Sequence, residues 1–278
     1  MDVTVIRATE KPEQLVCQAA RGDYFDGYVG DTQYAELMEG VKYSEEDIEK
    51  VKSYINEGGA ETVKHLMSDG RIETAAKTLS FVEKQLSRGH YGPWEHPQIT
   101  FTVKGVSRVT MAQITRHRHM TFDVQSQRYV DFSDVDAIVP ASILSRDQRI
   151  AEFPEIYEEN EEHFSRESGL QEMGDDELKH WRASYMDMTS QALDQYEDMV
   201  EKGIPKEDAR FILPLGTPVN MTFSGNARTF MHLLDMRKKA NAQWEIRALS
   251  ERIIDELMNW MPYTYNHYDR NAPHKLSP

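Results

Sequence analysis

Apolar side chains spaced three to four residues apart predict that much of the chain is helical. Two segments between residues 44 and 88 carry this spacing. Ser44 is a candidate N-cap for the first of them, and Gly58-Gly59 and Gly89 are candidate helix ends. The same spacing predicts later helices at 107–116, about 175–202, 226–237 and 241–260.

Alternation of apolar and polar residues, the pattern of a half-buried strand, predicts a smaller number of strands. Residues 99–103 and 219–223 alternate in this way, and 126–132 is predicted as a further strand. The tail from Pro262 is polar, and we expect it to be loosely held. Helices with a few strands and no regular strand–helix–strand repeat predict an α+β fold in a single domain, residues 1–278.

The overall composition indicates a folded, soluble protein. Hydrophobic residues make up 39% of the 278 residues, and the mean hydropathy is −0.66. No apolar run approaches the roughly 20 residues that a membrane helix needs. The first residues lack the basic and apolar regions of a secretory signal, and the single cysteine, Cys17, excludes an intrachain disulfide. We therefore expect a cytoplasmic protein that does not enter the membrane.

The charge is acidic and unevenly distributed. Asp and Glu number 47 against 32 Lys and Arg, which gives a formal net charge of −15. Residues 151–177 contain eleven acids and one base, Arg166, and we interpret this run as a solvated helix face. The rest of the chain is only mildly acidic. This argues against a nucleic-acid partner but allows a local arginine cluster to hold a small anion.

Three groups of polar residues could carry chemistry. Each also has an ordinary structural explanation, since asparagine caps helices and arginine complements the negative end of a helix dipole. That explanation is weakest for Arg116-His117-Arg118, because adjacent like charges repel. The groups are His90 to His96, Arg116 to His119 followed by Ser126 to Arg128, and Asn226 to Arg237 with Arg210 upstream.

These residue types leave several functions open. A metal-dependent hydrolase could use His90, Glu95, His96 and His117, although the common zinc spacings are absent and the flanking arginines oppose a cation. Glycine-rich phosphate loops are absent too, so arginine side chains would hold a phosphorylated ligand. Such a protein could be an enzyme or a non-enzymic nucleotide sensor. No nucleophile is evident, since Cys17 lies in an apolar stretch. An enzyme of this kind would therefore depend on a cofactor.

The second group has a recognisable spacing. Arg116-His117-Arg118, seven residues, Ser126, one residue and Arg128 resembles the RHR-x7-S-x-R signature of the flavin-dependent thymidylate synthases. The segment HYGPWEHPQITFTVKG is similar to the family's segment that ends in Glu-His before a strand. The family's A-R-x-x-L-P, N-A-R and A-Q-x-E-I-R follow in the same order between 203 and 247.

The resemblance implies both an architecture and a reaction. It implies an α+β homotetramer with a small mixed or antiparallel sheet, long flanking helices and active sites between subunits. It implies FAD as cofactor, dUMP as methyl acceptor, 5,10-methylenetetrahydrofolate as one-carbon donor and NADPH as reductant. The reduced flavin would deliver a hydride, so that dTMP and tetrahydrofolate leave together.

Residue roles carry over from the family by position. Arg237 matches the arginine that binds the uracil and favours loss of its N3 proton, and it is the predicted catalytic residue. Two positions depart from the family: Gly92 replaces a common hydroxyl residue, and Val124 replaces a polar one, for which Asp123 or Gln125 could substitute. The implied flavin positions are Gly92, Glu95, Arg116, His117, Arg118, Asn226, Arg228 and His232. The implied dUMP positions are Gln113, Arg116, Ser126, Gln127, Arg128, Arg210 and Arg237, and no metal site is implied.

Overall fold

The computed structural model describes residues 1–57, 61–68, 72–157 and 173–271. The strands in these ranges form one small antiparallel sheet with the order β1-β2-β4-β3. The predicted α+β class is confirmed. The strands are β1 (Asp2–Ala8), β2 (Gln98–Ser107), β3 (Thr121–Val124) and β4 (Pro218–Asn226).

Helices account for most of the described chain. Up to the third strand they are α1 (Pro12–Gly22), α2 (Tyr34–Leu37), α3 (Glu45–Asn56), α4 (Glu61–Ser68), α5 (Ile72–Ser87) and α6 (Arg108–Ile114). Beyond it they are α7 (Arg146–Glu152), α8 (Pro154–Tyr157), α9 (Asp175–Glu201), α10 (Lys206–Ala209), α11 (Ala227–Arg237), α12 (Trp244–Trp260) and α13 (Pro262–Asn271). Short 3-10 turns occur at Val29–Asp31, Gly92–Glu95, Ala141–Ile143 and Arg210–Ile212.

Hydrogen bonds at the N-caps confirm three predicted helix starts. The Ser44 hydroxyl accepts from the amide of Asp47 at 3.2 Å and the Asp47 carboxylate accepts from the Ser44 amide at 2.6 Å, a capping box that begins α3. Ser107 begins α6 by accepting from the amide three residues on at 3.1 Å. Asn226 does the same for α11 at 2.8 Å.

Glycines at helix ends confirm two predicted stops. Gly89 after α5 and Gly203 after α9 have φ angles of +74° and +84°, in the left-handed region that glycine enters without strain. The predicted end at Gly58-Gly59 lies outside the described residues.

The alternation predicted for two strands is confirmed by burial. In β2, Ile99, Phe101 and Val103 are at most 1% exposed, and the polar residues between them are less buried. In β4, Val219, Met221 and Phe223 are at most 2% exposed. One face of each strand therefore packs into the protein interior.

Residues 126–130 form a turn and 131–132 belong to no strand, so the prediction of a strand at 126–132 is wrong. The Ser126 hydroxyl accepts from the amide of Arg128 at 3.2 Å, and the Ser126 carbonyl accepts from the amides of Tyr129 and Val130 at 3.3 and 3.0 Å. Serine often offers the backbone such local bonds in place of a strand ladder. The strand in this region is β3, which ends two residues before Ser126.

The prediction of a loosely held tail from Pro262 is also wrong. Pro262 begins α13, in which Tyr263 and Tyr265 have no exposed surface and Tyr268 is 2% exposed. Tyrosine looks polar in a sequence, but its ring buries a large apolar area, and the hydroxyls of Tyr265 and Tyr268 donate to the Ala227 carbonyl at 2.9 Å and the Asp235 carboxylate at 2.8 Å. Residues 272–278 of the predicted tail lie outside the described residues.

The chain divides into two compact units, each assembled from three separate stretches. The first unit contains residues 1–4, 101–223 and 237–251, and the second contains residues 5–100, 224–236 and 252–278. The predicted single domain over 1–278 stays a prediction.

In the first unit, an apolar cluster forms where α7, α8 and the start of α12 meet. Phe153 and Trp244 pack with their ring centroids 4.8 Å apart, beside the buried Ile156 and Ala248. This cluster anchors the start of α12. In the second unit, α5 is surrounded by α1, α3, α4 and α13, and its buried face includes Leu79.

The acidic run at 151–177 is described only in part, since 158–172 lies outside the described residues. Asp175, Asp176 and Glu177 are exposed in the first turn of α9, where they complement the positive end of the helix dipole. No helix in the described ranges combines the length and apolarity needed to cross a membrane.

Candidate functional site

Helix α6 of the first unit is held at both ends and leads into Arg116. At its start, Ser107 donates to the buried carboxylate of Glu245 through both its amide, at 2.6 Å, and its hydroxyl. At its end, Gln113 donates to the side chain of Gln243 at 3.5 Å. Gln243 in turn accepts from two amides at the start of α12, each at 3.1 Å. The start of α12 therefore fixes the direction of α6.

Arg237, the last residue of α11, joins Gln113 and His117. Its Nε donates to Nε2 of His117 at 3.0 Å, and its Nη2 donates to the carbonyl oxygen of Gln113 at 3.0 Å. Because Nε2 of His117 accepts this bond, we assign the neutral ring with its proton on Nδ1. His117 is buried, so these two acceptors hold the guanidinium of Arg237 in a fixed orientation.

Arg116 and Arg118 add positive charge to the first unit. Both side chains are exposed, and within the described ranges no carboxylate pairs with either of them. Burial, followed by the charge of Arg116, lowers the pKa of Arg237. Guanidinium groups that repel one another and have no counter-ion suit an anionic ligand better than a metal cation.

The turn after β3 presents Ser126 and Arg128, and Glu207 connects it to Arg210. The Arg128 Nε donates to the Glu207 carboxylate at 2.9 Å, and the Arg210 Nε donates to the Glu207 carbonyl at 3.0 Å. Ser126 uses its hydroxyl to shape the turn, which suits a binding group rather than a nucleophile. The neighbouring Gln127 is 7% exposed.

Some residues that support these arginines are not among the predicted site residues. Gln243 and Glu245 lie within the A-Q-x-E-I-R segment, so the family match contained a signal for them. Glu207 and Arg108 had no such signal. Burial and then the charge of Arg210 lower the pKa of Arg108, which places a further positive charge near that residue.

The second unit contains the other predicted flavin positions. The carboxylate of Glu95 forms an ion pair with the guanidinium of Arg228, in the first turn of α11. Asn226 uses its side-chain oxygen to cap α11, so it offers a ligand chiefly N–H donors. His232 is half-buried on the same helix. The eight predicted flavin positions therefore divide between the two units.

The two departures from the family have different surroundings. In the described part of the chain, apart from the two neighbouring residues, no atom lies within 4 Å of a Cβ atom added at Gly92, so the missing side chain does not reflect a lack of space. Near Val124, the side-chain oxygen of Gln125 accepts from the amide of Asn220 at 3.1 Å. Gln125 thus contributes to strand pairing, and Asp123 is the exposed polar neighbour of Val124.

The metal-hydrolase alternative gains no support from the described residues. Among them, no group of three or more His, Cys, Asp or Glu side chains is arranged to hold a metal ion. Two of its proposed ligands have other partners, since Glu95 pairs with Arg228 and His117 accepts from Arg237.

Comparisons with known proteins agree with the signature. A family model described as thymidylate synthase complementing protein matches residues 4–263. The flavin-dependent thymidylate synthase of Halobacterium salinarum is 38% identical over 99% of this chain and 98% of its own length. That of Haloarcula marismortui is 38% identical over 100% of both chains.

A solved structure supports the fold. The UMP/dUMP methylase PolB from Streptomyces cacaoi, bound with 5-Br dUMP, aligns with a TM-score of 0.67 at 19% identity, over 100% of this chain and 97% of that chain. Because the family model covers most of the sequence and two relatives match over nearly their full length, the chain belongs to the flavin-dependent thymidylate synthases and is an enzyme of the flavin-dependent methyltransferase class.

Proposed function

We propose that this protein converts dUMP to dTMP, with 5,10-methylenetetrahydrofolate as the one-carbon donor and a hydride that passes from NADPH through bound FAD. The observation that carries the proposal is the assembly of Gln113, His117 and Arg237, with the charge of Arg116 acting on Arg237. All four residues stand at family positions for the nucleotide or the flavin, and their geometry suits an anionic, planar ligand.

Arg237 is the proposed catalytic residue. His117 and the Gln113 carbonyl take up two of its N–H groups, and other N–H groups remain for the uracil ring. A fixed positive charge beside the uracil favours the form that has lost its N3 proton. That anion carries more electron density at C5, where the one-carbon unit is added. Cys17 is unsuited to act as a nucleophile, because burial raises the pKa of its thiol to about 12.

Arg128 and Arg210 are the proposed phosphate ligands. Both contact Glu207, Arg128 through an exposed ion pair and Arg210 through the backbone carbonyl. An exposed ion pair contributes only about 0–1 kcal/mol. A substrate phosphate can therefore replace the Glu207 carboxylate on Arg128 at small cost. The other proposed dUMP residues are Gln113, Arg116, Ser126, Gln127 and Arg237.

The proposed flavin residues supply cationic groups and hydrogen bonds. Bound FAD would supply the hydride-transfer chemistry that amino-acid side chains lack. Arg116 and Arg118, which have no carboxylate partner in the described ranges, would stabilise negative charge on a bound ligand. The proposed set is Gly92, Glu95, Arg116, His117, Arg118, Asn226, Arg228 and His232.

The proposal includes a homotetramer with active sites between subunits. Exposed apolar side chains in the first unit support this assembly. Trp181 and Met188 of α9 are 50% and 68% exposed, and Phe211 and Leu215 are 86% and 70% exposed. Organisation of residues 1–278 as one domain and a cytoplasmic location belong to the same proposal.

Flavin retention tests the proposal directly. The purified protein would be mixed with FAD and desalted, and its visible absorption recorded. We expect the wild type to retain flavin and the double variant R116A/R118A to bind it at least about tenfold more weakly, since hydrogen bonds to charged groups contribute about 1.5–3 kcal/mol each. Formation of dTMP from dUMP, methylenetetrahydrofolate and NADPH would then be measured on the loaded wild type.

The matched control is R7A/K179A, which removes the same number of exposed positive charges from other surfaces. It should retain flavin like the wild type. Equal retention by both double variants would contradict the flavin roles of Arg116 and Arg118. Tight dUMP binding by a protein that binds no flavin would favour a nucleotide sensor, and bound zinc or iron without flavin would favour a hydrolase.

A further inference from the structure

A chain of buried hydrogen bonds leads from α1 to the turn that carries Gly92 and Glu95. The amide of Thr264 on α13 donates to Oε1 of Glu13 at 2.8 Å, and the Thr264 hydroxyl accepts from Nε1 of Trp94 at 3.0 Å. Trp94 lies between Gly92 and Glu95 in the same turn. Glu13, Thr264 and Trp94 each have 0% exposed surface and belong to the second unit.

Glu13 is an unusual residue for such a buried position. Among the described residues, its Oε2 has no hydrogen-bond partner. Burial raises the pKa of the carboxyl to about 8, although hydrogen bonds from α13 partly oppose the shift. A buried carboxyl with one oxygen unpaired costs stability that an apolar residue would not. Its contribution here is a fixed acceptor for the Thr264 amide, one of the N–H groups at the start of a helix that have no partner within the helix.

A second contact connects α13 with α11. The hydroxyl of Tyr265 donates to the carbonyl of Ala227 at 2.9 Å, and the Ala227 amide donates to the carbonyl of Pro97 at 3.1 Å. Ala227 directly precedes Arg228, the partner of Glu95. Helix α13 therefore contacts the elements that carry both members of this ion pair.

We propose that Glu13, Thr264 and Trp94 are positioning residues, which hold the Gly92–Glu95 turn in the conformation required for flavin binding. This inference rests on the proposed function. A turn of four residues has few internal hydrogen bonds, so the indole of Trp94 adds a buried contact that ties the turn to α13. None of the three side chains needs to touch the flavin.

Thr264→Val tests this role, because it removes the hydroxyl that accepts from Trp94 and also interacts with the Glu13 carboxyl, and it keeps the volume and the backbone amide that bonds Glu13. We expect FAD to bind about tenfold more weakly, which corresponds to ~1.4 kcal/mol. The affinity for dUMP should stay within about twofold, since its proposed ligands lie in the first unit. Binding of FAD would be followed by flavin fluorescence, and dUMP binding by calorimetry. Thr264→Ser restores the hydroxyl and should restore FAD affinity.

Two further variants separate positioning from a general loss of stability. Trp94→Phe removes the other partner of the same hydrogen bond and should weaken FAD binding by a similar factor. Thr78→Val is the matched control. Thr78 is also 0% exposed and in the second unit, but its hydroxyl bonds Tyr34 at 2.8 Å and the Thr74 carbonyl. Thr78→Val should lower the melting temperature and leave FAD affinity unchanged.

The outcomes distinguish this inference from the proposed function. If the wild type binds FAD and Thr264→Val and Trp94→Phe bind it equally well, the positioning role is overturned and the proposed function stands. An equal loss of FAD affinity in Thr78→Val would also overturn it, because stability alone would then explain the effect. A wild type that binds no FAD would overturn the proposed function, and this inference with it.

Discussion

The guanidinium of Arg237 is held by two acceptors of different kinds, an imidazole nitrogen of His117 and the backbone carbonyl of Gln113. A planar guanidinium can donate to both acceptors at once, and a lysine ammonium cannot reproduce that geometry. The orientation of Arg237 therefore depends on its shape as well as on its charge.

Arg237→Lys tests this dependence. The charge stays, but the bonds to His117 and Gln113 are not both kept. We expect kcat/KM for dUMP to fall by about 100-fold, the equivalent of two hydrogen bonds of ~1.4 kcal/mol each. Flavin retention should change little. Steady-state formation of dTMP and the absorption of retained flavin are the measurements. The control is Arg7→Lys, on an exposed site of β1. A kcat/KM within about twofold of wild type for Arg237→Lys would contradict the dependence of catalysis on the orientation of the guanidinium.

The sequence could identify Arg237 but not the bonds that orient it. The match to the family pointed to this position, whereas His117 and Gln113 lie 120 and 124 residues away along the chain. The same limit applies to Glu207. It stands three residues before Arg210, but its ion pair joins it to Arg128, 79 residues away.

Helix α6 depends on α12 for its position. The buried carboxylate of Glu245 accepts from both the amide and the hydroxyl of Ser107, and Gln243 meets Gln113 at the other end of α6. A displacement of α6 would move Gln113 and the arginines that follow it. The support of the proposed nucleotide site therefore extends beyond the residues that would touch dUMP.

Glu245→Ala should destabilise the fold and weaken dUMP binding together. It leaves the amide and the hydroxyl of Ser107 without their buried acceptor, so we expect the free energy of unfolding to fall by about 2–4 kcal/mol. The KM for dUMP should rise severalfold because Gln113 moves with α6. Glu245→Gln keeps one acceptor oxygen and should lose less of both. Urea denaturation and steady-state kinetics are the measurements.

The control for Glu245→Ala is Glu197→Ala, on an exposed site of α9, which should stay within about 0.5 kcal/mol of wild type. An unchanged KM for dUMP in a destabilised Glu245→Ala protein would show that α6 keeps its position without this contact.

Elements defined by local chemistry could be predicted from the sequence. Helices α3, α6 and α11 begin at caps whose partners lie three residues away, and β2 and β4 follow a two-residue alternation. The prediction at 126–132 was wrong because the bonds made by Ser126 outweigh the strand-like composition. Helix α13 was missed because burial of its tyrosines depends on partners far away in the sequence.

Neither of the two compact units is a continuous stretch of chain. The proposed dUMP residues belong to the first unit, while the proposed flavin residues belong to both. The family model matches residues 4–263, and the α+β fold class implied by the family resemblance is confirmed. The resemblance could not show that the C-terminal helix supports the Gly92–Glu95 turn, because that role depends on Trp94 and Thr264, 170 residues apart.

Glu13 makes the stability of the whole molecule depend on pH. Burial raises the pKa of its carboxyl from 4.5 to about 8, so between these values the folded protein keeps a proton that the unfolded chain releases. The contribution of this group to the free energy of unfolding therefore falls as the pH rises, by at most about 1.4 kcal/mol per pH unit, and levels off above pH 8. Cys17, Tyr54 and Tyr263 are titratable groups close enough to Glu13 for its charge to raise their pKa values.

Glu13→Gln isolates this effect, because the carboxamide oxygen still accepts from the Thr264 amide and the side chain no longer titrates. Urea denaturation at pH 5, 6, 7 and 8 would give the free energy of unfolding of the variant and the wild type. We expect their difference to move steadily in favour of Glu13→Gln as the pH rises, since only the wild type has a carboxyl that ionises in the unfolded chain while the folded protein keeps it protonated. Glu10→Gln, at an exposed site nearby in the sequence, should show a difference that hardly varies with pH. A difference for Glu13→Gln that is equally constant would mean that the folded protein holds no proton on this carboxyl.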